Sequence, residues 1–136
     1  MFRVSVSGTS MYPVLRPNDC VIAVKREFYA IGAILIFSYG NEGCLIHRLL
    51  KAIDDKYYCK GDNSFRLEVI SNKQVMGQAV FIERGGKTFS PAMVDDKFIK
   101  MSFRIYKEFV LSGYDRQKVM ETQEYIEYRN LYLKAR

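Results

Sequence analysis

The sequence predicts a mainly β chain with a helical tail. Residues 1–90 read as a coiled antiparallel β-sheet or barrel-like domain, and residues 91–136 as an extension of about two helices packed on it. Two patterns carry this. Short runs alternating at period two recur through the first part, separated by clusters of Gly, Pro, Asn and Asp. After about Pro91, apolar residues fall instead at helical spacing. The composition agrees with a folded chain: 136 residues, 49% hydrophobic and 26% charged, suffice for one core and argue against disorder.

Phe2-Arg3-Val4-Ser5-Val6 alternates and forms the first predicted strand, ending in the Ser7–Pro13 turn. Pro13 and Pro17 bracket Val14-Leu15-Arg16, and Pro17-Asn18-Asp19 reads as a further turn. Cys20 to Lys25 is a second strand, and Arg26 to Tyr29 link it to a third over Ala30–Tyr39. Gly40-Asn41-Glu42-Gly43 is a hairpin turn, and Cys44 to Ile53 is the return strand, with His47 near its middle. After the Asp54-Asp55-Lys56 turn, Tyr57 to Lys60 is a short strand ending at Gly61-Asp62-Asn63-Ser64. Val75 to Arg84 is the last strand expected, closed by Gly85-Gly86. In the tail, Phe98, Met101, Ile105 and Phe109 define one helix that Gly113 ends. Val119, Tyr125, Ile126 and Leu131 define a second, from about Asp115 to Leu133.

Charge and cysteine content bound the function. A net charge of +6 is spread over both parts of the chain, which reads as solubility rather than as a nucleic-acid surface. No nucleic-acid partner is expected. The three cysteines, Cys20, Cys44 and Cys59, are odd in number and far apart, which suits a reducing compartment rather than a disulfide framework. Cys44 and His47 have a C-x-x-H spacing without a second ligand pair, so no metal or other cofactor is expected. No secretory signal is visible, and no run comes near the ~18–20 apolar residues of a membrane span, so neither is expected. With nine residues ahead of Ser10, an N-terminal anchor is not expected either, and the predicted location is cytoplasmic.

The Ser7–Pro13 turn is rich in hydroxyls and holds a candidate nucleophile, Ser10. A lone serine needs a base and a group that orients the base. The chain has one histidine, His47, so a Ser–His mechanism has a single candidate base. Alternation places its imidazole on a face with Leu45 and Leu49. Two acids are candidates for the orienting group: Asp62, in turn chemistry after Gly61, and Glu68, six residues later. Spacing does not choose between them.

Three motifs, in order, resemble those of the signal-peptidase and LexA-like serine peptidase superfamily, closest to its archaeal and endoplasmic-reticulum members. Ser7-Gly8-Thr9-Ser10-Met11-Tyr12-Pro13 resembles the Ser-x-Ser-Met-x-Pro nucleophile box. Ile46-His47-Arg48 resembles the His-Arg pair, and Lys60-Gly61-Asp62-Asn63 the Lys-Gly-Asp-Asn box. Val75-Met76-Gly77-Gln78-Ala79-Val80 is similar to the Val-x-Gly-x-Val strand that follows. The resemblance covers about residues 4–82 and implies the coiled β fold of that superfamily. It further implies a serine endopeptidase with Ser10 as nucleophile, His47 as general base in place of a lysine, and Asp62 and Glu68 as the two acidic positions, with Glu68 preferred as the orienting acid and Asp62 in support. Glu68 stands where the family has Asp, one methylene shorter. Gly8, Thr9 and Met11 flank the nucleophile on the oxyanion and substrate side, and Gly8 replaces a serine that donates to the oxyanion in many bacterial relatives.

The implied substrate is an extended peptide or protein segment, such as a leader or pro-segment. A catalytically silent peptide-binding protein and a self-cleaving LexA-like regulator are the alternatives, the latter disfavoured because no DNA-binding domain precedes Ser10. Tyr106, Tyr114, Tyr125, Tyr128 and Tyr132, mixed with Lys and Arg, leave two readings for residues 95–136. The tail packs on the β domain, or it docks the protein peripherally on a membrane or partner.

Overall fold

A computed structural model describes residues 1–134. It is mainly antiparallel β, with helices at the C-terminal end. The strands are β1 (Phe2–Ser5), β2 (Cys20–Val24), β3 (Ile34–Ser38), β4 (Cys44–Ile53), β5 (Lys56–Lys60), β6 (Leu67–Ser71), β7 (Val75–Arg84) and β8 (Lys87–Phe89). They form one sheet in the order β1-β2-β7-β3-β4-β5-β6, with β8 also paired to β7.

The long β7 is the spine of this sheet. It pairs with β2 on one edge and with β3, then β8, on the other. Register shifts at Ile22/Ala23, Ile36/Phe37 and Leu49/Lys51 interrupt three ladders. Such irregularities bend strands and increase twist, which curls the sheet into a half-barrel. Ile34, Leu35, Ile36 and Phe37 of β3 are all buried. Successive side chains of a strand point to opposite faces. Ile34 and Ile36 accordingly join a core with Val6, Met11, Leu15, Val21, Ala23, Ala79 and Ile82. Leu35 and Phe37 join a second core with Tyr29, Leu49, Tyr57, Cys59, Ile70 and Val75.

Several elements depart from the sequence reading. The third strand begins at Ile34 rather than Ala30. Gly32 has φ +94°, and a Cβ there would lie 3.1 Å from Val94, so the backbone turns before pairing. Gly85-Gly86 does not close the sheet but turns the chain back into β8, whose residues are all exposed. Strand β6 was not expected. Its buried positions are Glu68 and Ile70 while Val69 is exposed, so a carboxylate sits where alternation calls for an apolar residue.

The tail holds α1 (Asp96–Leu111), α2 (Arg116–Met120) and α3 (Gln123–Tyr128), then a π-helical turn over Arg129–Leu133. The second expected helix is therefore broken. Thr122 starts a new one by accepting a hydrogen bond from the Tyr125 N–H, as Asp95 and Asp115 do for α1 and α2. Phe98, Ile105, Val119, Tyr125, Tyr128 and Leu133 are buried together with Phe65, which comes from the loop between β5 and β6. Packing, the first of the two readings of the tail, is thus what its apolar face does. The last two residues of the 91–136 extension lie outside the described residues.

Candidate active site

The Ser10 loop leaves the sheet at Val6 and rejoins it at Asp19. Its base is closed by Val6 N–H donating to Asp19 O at 2.8 Å and Asn18 N–H to Val6 O at 3.0 Å. Met11 and Leu15 are buried and pin the loop to the first core. The Asp19 carboxylate accepts from the Arg16 N–H at 2.8 Å and from Arg84 at 2.8 and 2.7 Å. Burial alone would raise the Asp19 carboxyl, but the Arg84 and Arg16 contacts outweigh it and hold it below its ordinary range.

The loop meets the turn after β5 at Ser10. Asn63 N–H donates to Ser10 O at 2.8 Å, and Asn63 Nδ2 to Thr9 O at 3.1 Å. Gly61 makes the approach close. A Cβ there would lie 2.6 Å from Ser10 O and 3.1 Å from His47 Nε2, so no larger residue fits without moving the site. Gly8 answers a different need: space is open around it, but its φ of +77° is one that other residues rarely adopt.

His47 lies on β4 opposite Leu35, with its ring edge-on to Phe37. It is 4% exposed. Its Nε2 is 3.0 Å from Ser10 Oγ, and its Nδ1 is 2.5 Å from Glu68 Oε1. With the Nδ1–H donated to the carboxylate, Nε2 is free to accept the Ser10 hydroxyl proton. Glu68 is fully buried, and its other oxygen, Oε2, accepts from Arg66 Nε at 2.9 Å. Ser10, His47 and Glu68 thus form a continuous hydroxyl–imidazole–carboxylate chain, drawn from residues 58 apart in the sequence at its ends.

Asp62 is brought next to this chain but turned from it. Its carboxylate takes Arg48 Nε at 3.1 Å and Arg48 Nη2 at 2.7 Å, with both side chains buried. Arg48 also donates to Gly32 O at 2.9 Å. Asp62 therefore anchors the turn, and Glu68 is the acid that reaches the imidazole. Gly8 and Thr9 are exposed at the mouth of the site. Met11, grouped with them from the sequence, is instead buried in the core, and its Sδ accepts the Asp62 N–H at 3.3 Å.

The helical tail supports this turn from behind, through contacts that no local pattern specifies. Tyr128 Oη donates to Asp62 O at 2.7 Å. Lys60 is fully buried, and its Nζ donates to Ser102 Oγ at 2.9 Å and to Gly61 O at 3.2 Å. Burial pushes the Lys60 ammonium down to about 8, against the opposing pull of Asp62 and Glu68. Burial and Asp62 push the Tyr128 phenol up. The Arg48 guanidinium lies over the Phe98 ring at 5.3 Å, and Phe65 stacks on Tyr125 at 5.6 Å.

Arg66 is the other residue that the motif reading passed over. Its position two before Glu68 was the available signal, since residues at i and i+2 of extended chain share a face. Among the described residues, no cluster of His, Cys, Asp and Glu is arranged to hold a metal ion. No helix of the described residues is long and apolar enough to cross a membrane. No family model, curated protein or solved structure matches the chain.

Proposed function

We propose that the chain is a serine endopeptidase of the signal-peptidase and LexA-like type, cleaving a leader or pro-segment from a peptide or protein. The observation that carries this reading is the Ser10 Oγ–His47 Nε2 and His47 Nδ1–Glu68 Oε1 sequence of contacts, 3.0 and 2.5 Å long, with Ser10 partly accessible. The Ser10 loop, the His47 strand and the Lys60–Asn63 turn, far apart in the sequence, meet at one point, and Glu68 completes the hydroxyl–imidazole–carboxylate chain.

In the proposed reaction Ser10 Oγ attacks the scissile carbonyl carbon while His47 Nε2 takes its proton. The Glu68 carboxylate stabilises the imidazolium formed. Collapse of the tetrahedral adduct breaks the C–N bond, and His47 returns the proton to the leaving amine. Water, deprotonated by the same imidazole, then hydrolyses the Ser10 ester and restores the hydroxyl. The Ser10 N–H finds no acceptor among the described residues, and we assign it to the developing oxyanion. Gly8 has no side chain to add to it, so the donors there are backbone amides. Strand β1 runs directly into the Ser10 loop and pairs on one side with β2, leaving its outer edge to an extended substrate. We place the activity in the cytoplasm, with any contact to a membrane peripheral.

A fluorophosphonate probe tests this. Intact mass should rise by one phosphonyl adduct on Ser10, and both Ser10→Ala and His47→Ala should abolish the adduct. A folded parent chain that never labels and cleaves no peptide would overturn the enzymatic reading in favour of a silent peptide-binding protein.

A further inference from the structure

We propose that Arg66 is a positioning residue for the Glu68–His47 pair, acting as a latch that joins the hairpin bearing His47 to the strand bearing Glu68. The role in catalysis rests on the peptidase reading above; the latch itself does not.

The Arg66 guanidinium divides its donors between two carboxylates. Nε bonds Glu68 Oε2 at 2.9 Å, while Nη1 and Nη2 bond Glu42 at 2.8 and 2.7 Å. Glu42 belongs to the 3-10 turn between β3 and β4, immediately ahead of the strand that carries His47. The guanidinium also lies over the Tyr39 ring, 5.6 Å away in the same hairpin. One side chain therefore bridges the His47 hairpin and β6. The fork of Arg suits this, since its planar donors can satisfy two carboxylates in fixed directions.

The pairing meets a physical need. Glu68 is wholly buried, and each of its oxygens has one hydrogen-bonding partner, His47 or Arg66. Without Arg66, Oε2 would be a desolvated carboxylate oxygen with nothing to bond. The carboxylate could then rotate or recede to find a donor, and the imidazole would lose its fixed tautomer and direction. The other charged or titratable groups around the pair are Lys60 and Cys59 on β5, both sensing Glu68, and Glu42, sensing His47. None of these three bonds Oε2. Arg66 itself is half exposed, with its side chain at 49%, so it can be replaced without opening the core.

The chain's single histidine makes the test direct. An Nδ1–H held by a buried carboxylate gives a low-field proton resonance, and here only His47 can produce it. In Arg66→Gln this resonance should move upfield or broaden. The maximal rate of fluorophosphonate labelling should fall about tenfold or more, the scale of a weakened general base, with the probe's apparent affinity unchanged. Arg66→Lys should recover part of both. Glu42→Gln, at the exposed end, should produce smaller changes in the same direction and serves if Arg66→Gln does not fold. An unchanged resonance in the folded variants overturns the latch. A parent chain that shows the resonance but never labels overturns the peptidase reading and leaves the latch standing.

Discussion

At the scale of single residues, the site is set by what two positions lack or bury. Gly61 lets the Ser10 carbonyl and the His47 ring approach the same turn, and any side chain there would occupy the contact. Lys60, its neighbour, carries an ammonium into a fully buried place. Below about pH 8 this ammonium is charged in both the folded and unfolded chain, and folding must desolvate it. As pH rises from about 8 toward the ordinary 10.5, the folded chain sheds the proton while the unfolded chain keeps it, so stability grows across that window. Lys60→Met removes the titration. Its stability relative to the parent, measured by urea unfolding, should drop by about 2–3 kcal/mol between pH 7 and pH 10. A difference that does not vary with pH would show that Lys60 titrates normally.

At the scale of elements, the turn after β5 is clamped from two sides. The Ser10 loop grips it through Asn63 and Met11, and the helices grip it through Tyr128 and, at Lys60, through Ser102. The buried Arg48–Asp62 pair sits between these grips, where removing one partner would strand a charge. Tyr128→Phe keeps the ring and deletes one donor, leaving Asp62 O unpaired in a buried place. It should cost about 1–3 kcal/mol in denaturant unfolding. It should also slow labelling of Ser10, because the same turn holds the Ser10 carbonyl. Loss of stability with an unchanged labelling rate would confine the tail to a structural role.

At the scale of the whole molecule, the helices complete the β domain rather than decorate it. Their buried face covers Phe65 and closes over Lys60, so a chain ending before α1 would expose an aromatic ring and a buried ammonium together. Truncation after residue 94 should therefore give a chain without dispersed amide resonances or a cooperative melt. A folded, equally stable fragment would instead support a tail that serves mainly for docking. The curled sheet does the remaining work. It places β4 and β6 two strands apart, and β5 ends at Lys60 between them, so His47 can reach Glu68 past a glycine.

The mainly β class with a helical end was legible in the sequence, because period-two alternation and turn chemistry are local and survive without tertiary context. The sequence also named Ser10 and the single histidine, since residue type alone limits the chemistry. Spacing alone could not choose between Asp62 and Glu68, and the preference for Glu68 came only from the family resemblance. That choice depends on where Arg48 and Arg66 point, and only the packed sheet decides it: Arg48 captures Asp62 and Arg66 supports Glu68. Strand β6 was hidden for the same reason, since a carboxylate at a buried position reads as solvent-facing until its partners are known. The role of the tail lay furthest from the sequence. Apolar residues at helical spacing show that a helix will bury a face, but the surface it covers is fixed by contacts between residues such as Tyr128 and Asp62, 66 positions apart.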